Sequence, residues 1–368
     1  MIAIQKIKLQ ELDHYVSSSA FKKLKHKPIS FARVSSYLNN PRANKNDTVL
    51  YMAFYENELV AYRTILSDAF FIEKKKVSFG WLSGNWVHVK YRRKGFSTLL
   101  FNEALKDWGS KLMYTNYAVA SKLVYDKTNQ FNLLYDLKGT KYFTRFCLAD
   151  ILPLKKKVFK STKILWVGLD FVLNILLDFR NLFRSQIIEN NYKIRVNENW
   201  EDSILKFSNN IGSQNLFLRK NREISWIQNF PWVLTNTAAK TFSRAYYFSL
   251  YSKKFESNFY TIYNADETLI GSLFMTVRDG HVKIPYMYFS QENSKEIASF
   301  LLNKCQKMKV KTIVVYNESI EKKLNNQLPF IAKKAFTQKY FLTEKLDGFL
   351  NTRKGFEIQT GDGDVVFT

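Results

Sequence analysis

The run Tyr91-Arg92-Arg93-Lys94-Gly95-Phe96-Ser97 gathers three cations and a glycine at a point where the chain changes period. Ahead of it, Asn85 to Val89 alternate in β-favouring types. Behind it, Leu100, Ala104, Leu105, Trp108 and Leu112 recur at helical spacing from Leu99 onward, with Ser97 or Thr98 able to cap. A glycine at the turn, cationic side chains and unpaired amides at a helix start make an anion site. The free N–H groups and the positive end of the helix dipole both favour a phosphate there. The bland alternative is a helix after a basic turn that binds nothing.

Two other places carry groups that can move protons. From Val77 to Asn102 there is no Asp or Glu, and His88 is the only side chain of a type that exchanges protons near neutral pH. Period two puts it opposite Val87 and Val89. The tail Gly355 to Thr368 is acidic in a basic protein. Gly361-Asp362-Gly363-Asp364 is expected to turn tightly before a last strand, Val365 to Phe367. Those Asp/Gly residues are too few for a calcium loop, which needs about twelve, and Cys147 and Cys305 make neither a disulfide framework nor a metal site.

The run from Tyr91 to Ser97 resembles motif A of the GNAT acyltransferases, Arg/Gln-x-x-Gly-x-Gly/Ala. Arg92 and Gly95 fill its two strictest places; Ser97 stands where glycine or alanine is usual, and Val89 where proline is common. The resemblance implies that Arg92, Arg93, Lys94, Gly95, Phe96, Ser97 and Thr98 hold the pyrophosphate of acetyl-coenzyme A or another acyl-coenzyme A. It also implies that Val87, His88 and Val89 pair with the pantetheine arm. In that family a tyrosine on the helix after the fifth strand often protonates the departing thiolate, and Ser121-x-x-x-Tyr125 resembles that segment; an ordinary core tyrosine is the competing reading. Several members carry a glutamate base on the strand before motif A, which is missing here. His88 is then one candidate base, a water chain another. Asp362, Asp364 or the Thr368 carboxylate are others, by likeness to the N-myristoyltransferases, whose C-terminal carboxylate enters the active site.

A chain of 368 residues ordinarily makes two domains or a few. With 46% hydrophobic and 16% aromatic residues, and only 13 Gly and 6 Pro, it is neither disordered nor low-complexity. The opening MIAIQKIKLQELD turns polar too soon for a secretory signal, so a cytoplasmic compartment is expected. The formal charge of +24 invites an anionic partner: a cofactor, a membrane surface or nucleic acid. No groove-reading motif accompanies it, and nucleic acid ranks last.

Around motif A the predicted order is a strand at Ile2 to Leu9, helices at Glu11 to Leu24 and Pro28 to Leu38, and a hairpin of Thr48 to Tyr55 with Leu59 to Phe71. The motif A strand and helix follow, then a strand at Tyr114 to Ala120, a helix at Ser121 to Thr128 and a hairpin at Leu133 to Leu148. That is the GNAT order. From Tyr192 a second run of strands and helices resembles it again without the Arg-x-x-Gly loop. Between them, residues 158–188 read as a long helix with Leu165, Leu169, Val172, Leu176, Phe179 and Phe183 on one face. Asp170, Asn174, Asp178, Asn181 and Ser185 form a narrow polar stripe. Lysines 155, 156, 157, 160 and 163 precede it, and Arg180 and Arg184 end it. The helix is either attached to an anionic membrane surface or buried between domains.

The expected fold is therefore α/β with a mixed sheet, as tandem GNAT-like domains. Residues 1–150 bind acyl-coenzyme A, 151–190 form the helical linker, and 191–368 shape the acceptor site. The expected function is acyl transfer to an amine, such as one on a sugar or cell-envelope precursor, with Tyr125 as acid and His88 or Asp364 as base. The alternatives are a non-catalytic GNAT-like protein at a membrane and a transferase using aminoacyl-tRNA.

Overall fold

The structure, a computed structural model, describes residues 2–72, 75–115, 119–183, 192–197, 200–327, 330–350 and 355–368. In chain order the elements begin β1 (Ile2–Lys8), α1 (Leu12–Ser17), α2 (Ser19–Lys23), α3 (Phe31–Leu38), β2 (Thr48–Tyr55), β3 (Glu58–Ile72), β4 (Lys75–Val87), α4 (Phe96–Asp107), β5 (Leu112–Thr115), α5 (Val119–Asp126) and β6 (Phe131–Phe143). Next come α6 (Leu148–Lys155), α7 (Val158–Ser161), α8 (Lys163–Phe183), β7 (Tyr192–Asn197), α9 (Asp202–Ile211), α10 (Asn221–Asn229) and α11 (Thr237–Phe242). The chain ends with β8 (Phe255–Asn264), β9 (Leu269–Arg278), β10 (His281–Phe289), α12 (Ser294–Lys307), β11 (Thr312–Val315), α13 (Glu318–Gln327), β12 (Ala332–Thr343) and α14 (Glu344–Leu350).

These elements form two compact units interleaved along the chain. Met1–Leu137, Glu198–Phe255 and Gln338–Thr368 make one; Lys138–Asn197 and Glu256–Thr337 make the other. Packing thus places 198–255 and 338–368 in the first unit and 256–337 in the second.

In the first unit β1 to β4 are neighbours in antiparallel succession, β5 joins β4 in parallel, and β12 pairs antiparallel with β5. Glu56 and Asn57 both have positive φ, the geometry a tight hairpin between right-twisted strands requires. The core lies between this sheet and α4, where Leu100, Phe101 and Ala104 pack on Tyr51, Ile65, Leu82 and Leu112. Gly80 lets Trp108 approach: a Cβ there would lie 2.4 Å from Ile65 Cγ2 and 3.0 Å from the Trp108 ring. Gly80→Ala is accordingly expected to cost about 1–3 kcal/mol by overpacking, read from a urea unfolding curve.

The second unit repeats the plan, with neighbours in the order β7-β8-β9-β10-β11-β6 and the one parallel pair again fourth with fifth. Its core is built by α12 (Ile297, Phe300, Leu301) on Ile262, Leu273, Val282 and Ile313. In each unit the sixth strand comes from the other half of the chain, β12 in the first and β6 in the second. The mixed α/β class and the tandem arrangement therefore hold.

Several local expectations are corrected. Pro28 does not open the second helix; Ser30 caps α3 by accepting from Arg33 N at 3.3 Å. Leu133 to Leu148 is no hairpin but one strand, β6, whose far end pairs with β11. The tail from Asp364 to Phe367 is a 3-10 turn, held by Trp232 N donating to the Phe367 carbonyl, and not a strand. Ala245 to Leu250 is not a strand. Of the strand expected at 114–120, Tyr114 and Thr115 lie in β5 and Val119 and Ala120 in α5; 116–118 lie outside the described residues, as do Arg184 and Ser185 of the long helix.

Candidate functional site

β4 ends at Val87, and His88 caps a 3-10 turn, Val89–Tyr91, by accepting from Lys90 N through Nδ1 at 3.3 Å. The strand is thus two residues shorter than Asn85 to Val89 suggested. Arg93 and Gly95 then take positive φ, 63° and 84°. Gly95, not Ser97 or Thr98, is the N-cap of α4, and no side chain caps the helix. Alternating backbone handedness just before uncapped amides forms a concavity of N–H groups suited to an anion. Arg92, Arg93, Lys94 and Thr98 around it are exposed, while Phe96 is buried and anchors the turn against Tyr91.

Ser97 does something else. Its hydroxyl accepts from Asn85 Nδ2 at 2.9 Å, tying the start of α4 to β4. Arg63, opposite Asn85 on β3, is fully buried and donates to the Ser97 carbonyl at 3.4 Å and to the Tyr125 hydroxyl at 2.6 Å. Tyr125 is itself buried, packed on Phe101 and Tyr114. Arg63 therefore joins Tyr125 to the motif A helix. Nothing in the local pattern pointed to Arg63, an arginine in the middle of a strand.

Among the described residues β4 and β5 pair at Gly80↔Leu112 and Trp81↔Met113. Beyond Trp81, β4 runs on to Val87 along β3 without a strand partner on its β5 side among the described residues. Ser97, in the first turn of α4, is tied to Asn85 of this edge, so the edge lies beside the helix start. Within that edge the register with β3 slips between Thr64 and Ile65, so Ser83 is the extra residue of a bulge. Bulges re-aim side chains and are frequent beside active sites.

Neighbouring residues on a strand point to opposite faces. Arg63 faces α4; Thr64 faces the other side, where Arg33 donates to Thr64 Oγ1 at 2.9 Å and to Ser83 Oγ at 3.2 Å. Ser83 Oγ donates in turn to Asp364 Oδ2 at 2.7 Å. The Arg33 guanidinium stacks 3.9 Å from the Trp232 ring centre, and Trp232 stacks on Phe367. Gly84 leaves room here, since a Cβ would lie 2.6 Å from Thr64 Oγ1. Tyr37, Tyr62 and Tyr246 complete an aromatic lining with Trp86 and Phe248. Burial pushes the Tyr37 phenol up to about 12, so it stays protonated.

The C-terminal turn is held there by a buried ion cluster. Asp68 accepts from Arg219 at 3.0 and 2.9 Å, from Arg42 at 3.1 Å and from Trp81 Nε1 at 2.9 Å. Arg42 also bonds Glu223 at 3.1 Å, and Arg219 reaches Asp362 at 3.3 Å. Burial alone would raise the Asp68 carboxyl, but Arg219 and Arg42 outweigh it and hold it at about 2. For Asp362 burial wins over Arg219 and pushes the group up to about 6. Asp362 is thus held within this cluster, while its neighbour Asp364 reaches β4 through Ser83.

Of the residues singled out by sequence, Arg92 to Thr98 form one continuous loop and helix start, and Val87 ends that edge of β4. His88 and Val89 lie past the strand, His88 near the rings of His26, Trp86 and Tyr91. Asp364 and Tyr125 fall on opposite faces of β4. In the second unit the corresponding turn, Ser290 to Asn293 before α12, has Glu292 and neither glycine nor cation. Among the described residues no group of His, Cys, Asp and Glu could hold a metal ion.

No known protein family profile matches the chain, and no curated protein matches it. Solved structures do. A conserved protein of unknown function from Enterococcus faecalis, described as a probable N-acyltransferase, is 10% identical with a TM-score of 0.51, over 94% of this chain and 73% of that one. A GCN5-related N-acetyltransferase from Anabaena variabilis is 10% identical at TM-score 0.49, over 93% and 72%. One from Kribbella flavida is 11% identical at TM-score 0.46, over 93% and 71%. The first of these is a likeness of fold, and the resemblance read from motif A holds at that level: the chain has a tandem GNAT fold.

Proposed function

We propose that this chain is an acyl-coenzyme A-dependent N-acyltransferase, with the acetyl group as the simplest donor and an amine as acceptor. The observation that carries this reading is the stretch of β4 beyond Trp81, without a strand partner on its β5 side among the described residues, lying beside the uncapped start of α4. The amides of Gly95 to Thr98, with Arg92, Arg93 and Lys94, would hold the pyrophosphate through charge-assisted bonds. That stretch up to Val87 would pair with the pantetheine amides, and His88 and Val89 would flank its entry. The thioester would then lie on the β5 side of β4, open to both faces of the sheet.

The amine approaches from the face of Arg33 and Asp364. Its nitrogen attacks the thioester carbonyl carbon, and the carbon–sulfur bond breaks as the amide forms. The nitrogen's proton passes to the Asp364 carboxylate, and the departing thiolate takes one from the Tyr125 phenol, which Arg63 orients. The aromatic lining and the carboxylate suit a protonated amine on arrival, which gives one proton to solvent before its lone pair attacks; the proton passed to Asp364 is the one lost as the amide forms.

Calorimetric titration with acetyl-coenzyme A tests the reading. Micromolar binding is expected for the native chain, and a loss of at least about a hundredfold for Arg92→Ala/Gly95→Glu, which removes a cation and adds a carboxylate on the nest. Absence of binding by the native chain to acetyl- and longer acyl-coenzyme A would reject it.

A further inference from the structure

α8 is assembled inside out. Asp170, at one turn, accepts from Leu148 N at 2.8 Å and Ala149 N at 2.9 Å, capping α6 from outside. One turn on, Asn174 bridges the amide and carbonyl of Phe146 at 3.0 and 2.9 Å. A further turn on, Asp178 takes both guanidinium nitrogens of Arg145 at 2.5 and 3.1 Å. The polar stripe, with Trp166, Leu173 and Leu177, is thus the face packed on the protein. The apolar face points away. Ile164, Leu165, Val167, Leu169, Phe171, Val172, Ile175, Leu176 and Phe179 are each between 40% and 80% exposed. A continuous exposed apolar face of this kind marks an interaction site rather than ordinary solvent-facing surface.

We infer that α7 and α8 form an in-plane docking surface for an anionic lipid bilayer. The charge around the apolar face selects that occupant. Lys155, Lys156, Lys157, Lys160 and Lys163 are all exposed just ahead of it, with Leu154 and Val158 apolar among them, and Arg180 follows it. A basic rim around an apolar face matches headgroups around acyl chains. The helix lies flat rather than upright, because three successive turns are pinned to the protein body along its length. In keeping with this, no helix among the described residues is long and apolar enough to cross a membrane. The inference is independent of the acyltransferase reading.

Flotation of the full chain with vesicles tests it, using phosphatidylcholine alone or with about 30 mol % phosphatidylglycerol. Binding to the anionic vesicles is expected to exceed binding to the neutral ones by at least about tenfold and to weaken with salt. Leu169→Glu/Leu176→Glu should abolish flotation. Lys156→Ala/Lys157→Ala/Lys160→Ala should reduce it several-fold while leaving the apolar face intact. Both variants should melt like the native chain, since every altered side chain is exposed. Failure of the native chain to float overturns the inference. So does equal flotation of the Glu variant, or light scattering that shows a dimer dissolved by that variant without flotation, which would make the occupant a second copy.

Discussion

Replacing Asp68 with asparagine is expected to lower the unfolding free energy by about 3–5 kcal/mol, measured by urea denaturation at pH 7. The carboxylate is buried and accepts from two arginines and an indole. Asparagine keeps the shape and one acceptor oxygen but removes the charge that pairs with Arg219 and leaves Arg42 with Glu223 alone, both arginines being buried. An uncompensated buried cation costs more than the pair contributes. Asp362→Asn should act in the opposite sense above neutral pH. Asp362 is raised to about 6 in the fold from 3.8, so between those values the native state binds more protons than the unfolded chain. Its contribution to stability is therefore lost as pH rises through about 6, at a cost of about 3 kcal/mol. Asp68, lowered from 3.8 to about 2, gives stability that is present above pH 4 and lost as pH falls through about 2. In a pH series Asp362→Asn should flatten the decline between pH 4 and 6. A decline of unchanged slope in that variant would mean that Asp362 is ionised in the fold without penalty.

How much of this could be read from the chain depends on where each residue's partners lie. Arg92 and Gly95 are legible because the loop, the turn and the helix start are contiguous, and a local motif holds all the chemistry of an anion site. Even so, Ser97 and Thr98 were read as caps, whereas the positive φ of Gly95 lets the turn end without a side-chain cap. Asp364 was legible through composition, as acid in a basic chain, but its conformation was not. The 3-10 turn follows from Phe367 stacking on Trp232 and meeting Trp226 edge-on, residues far away in sequence. Arg33, Arg42, Arg63 and Arg219 gave no signal because their partners are set by sheet register and by the return of the tail. β12 was missed because its first half is polar and exposed, without the alternation of a half-buried strand. For α8 the period revealed a polar stripe and an apolar face. Which face turns inward was decided by the open amides at the start of α6, which Asp170 satisfies.

At Asp364 the expected effect is kinetic. Asp364→Asn should lower kcat by about 10²–10⁴, the usual worth of a positioned proton acceptor, while the affinity for acetyl-coenzyme A stays within about twofold of native. The separation follows from the geometry. Asp364 meets β4 at Ser83, on the face away from α4, whereas the residues from Arg92 to Thr98 that would hold the cofactor lie at the start of α4. Release of free thiol in the presence of an amine panel reads the rate, and calorimetry reads the binding. A structural role for Asp364 would also lower kcat, so the pH profile decides between them. As the base, Asp364 produces the acidic limb of kcat/KM, and that limb should vanish in Asp364→Asn while any alkaline limb persists. Ser83→Ala is the companion variant: it removes the hydroxyl that orients the carboxylate but leaves the base in place, so a loss of about tenfold with the acidic limb retained is expected. Should Asp364→Asn keep native kcat while His88→Gln loses it, the proton leaves at the mouth of the site, beyond the end of β4. The tail would then serve only to close the face opposite α4.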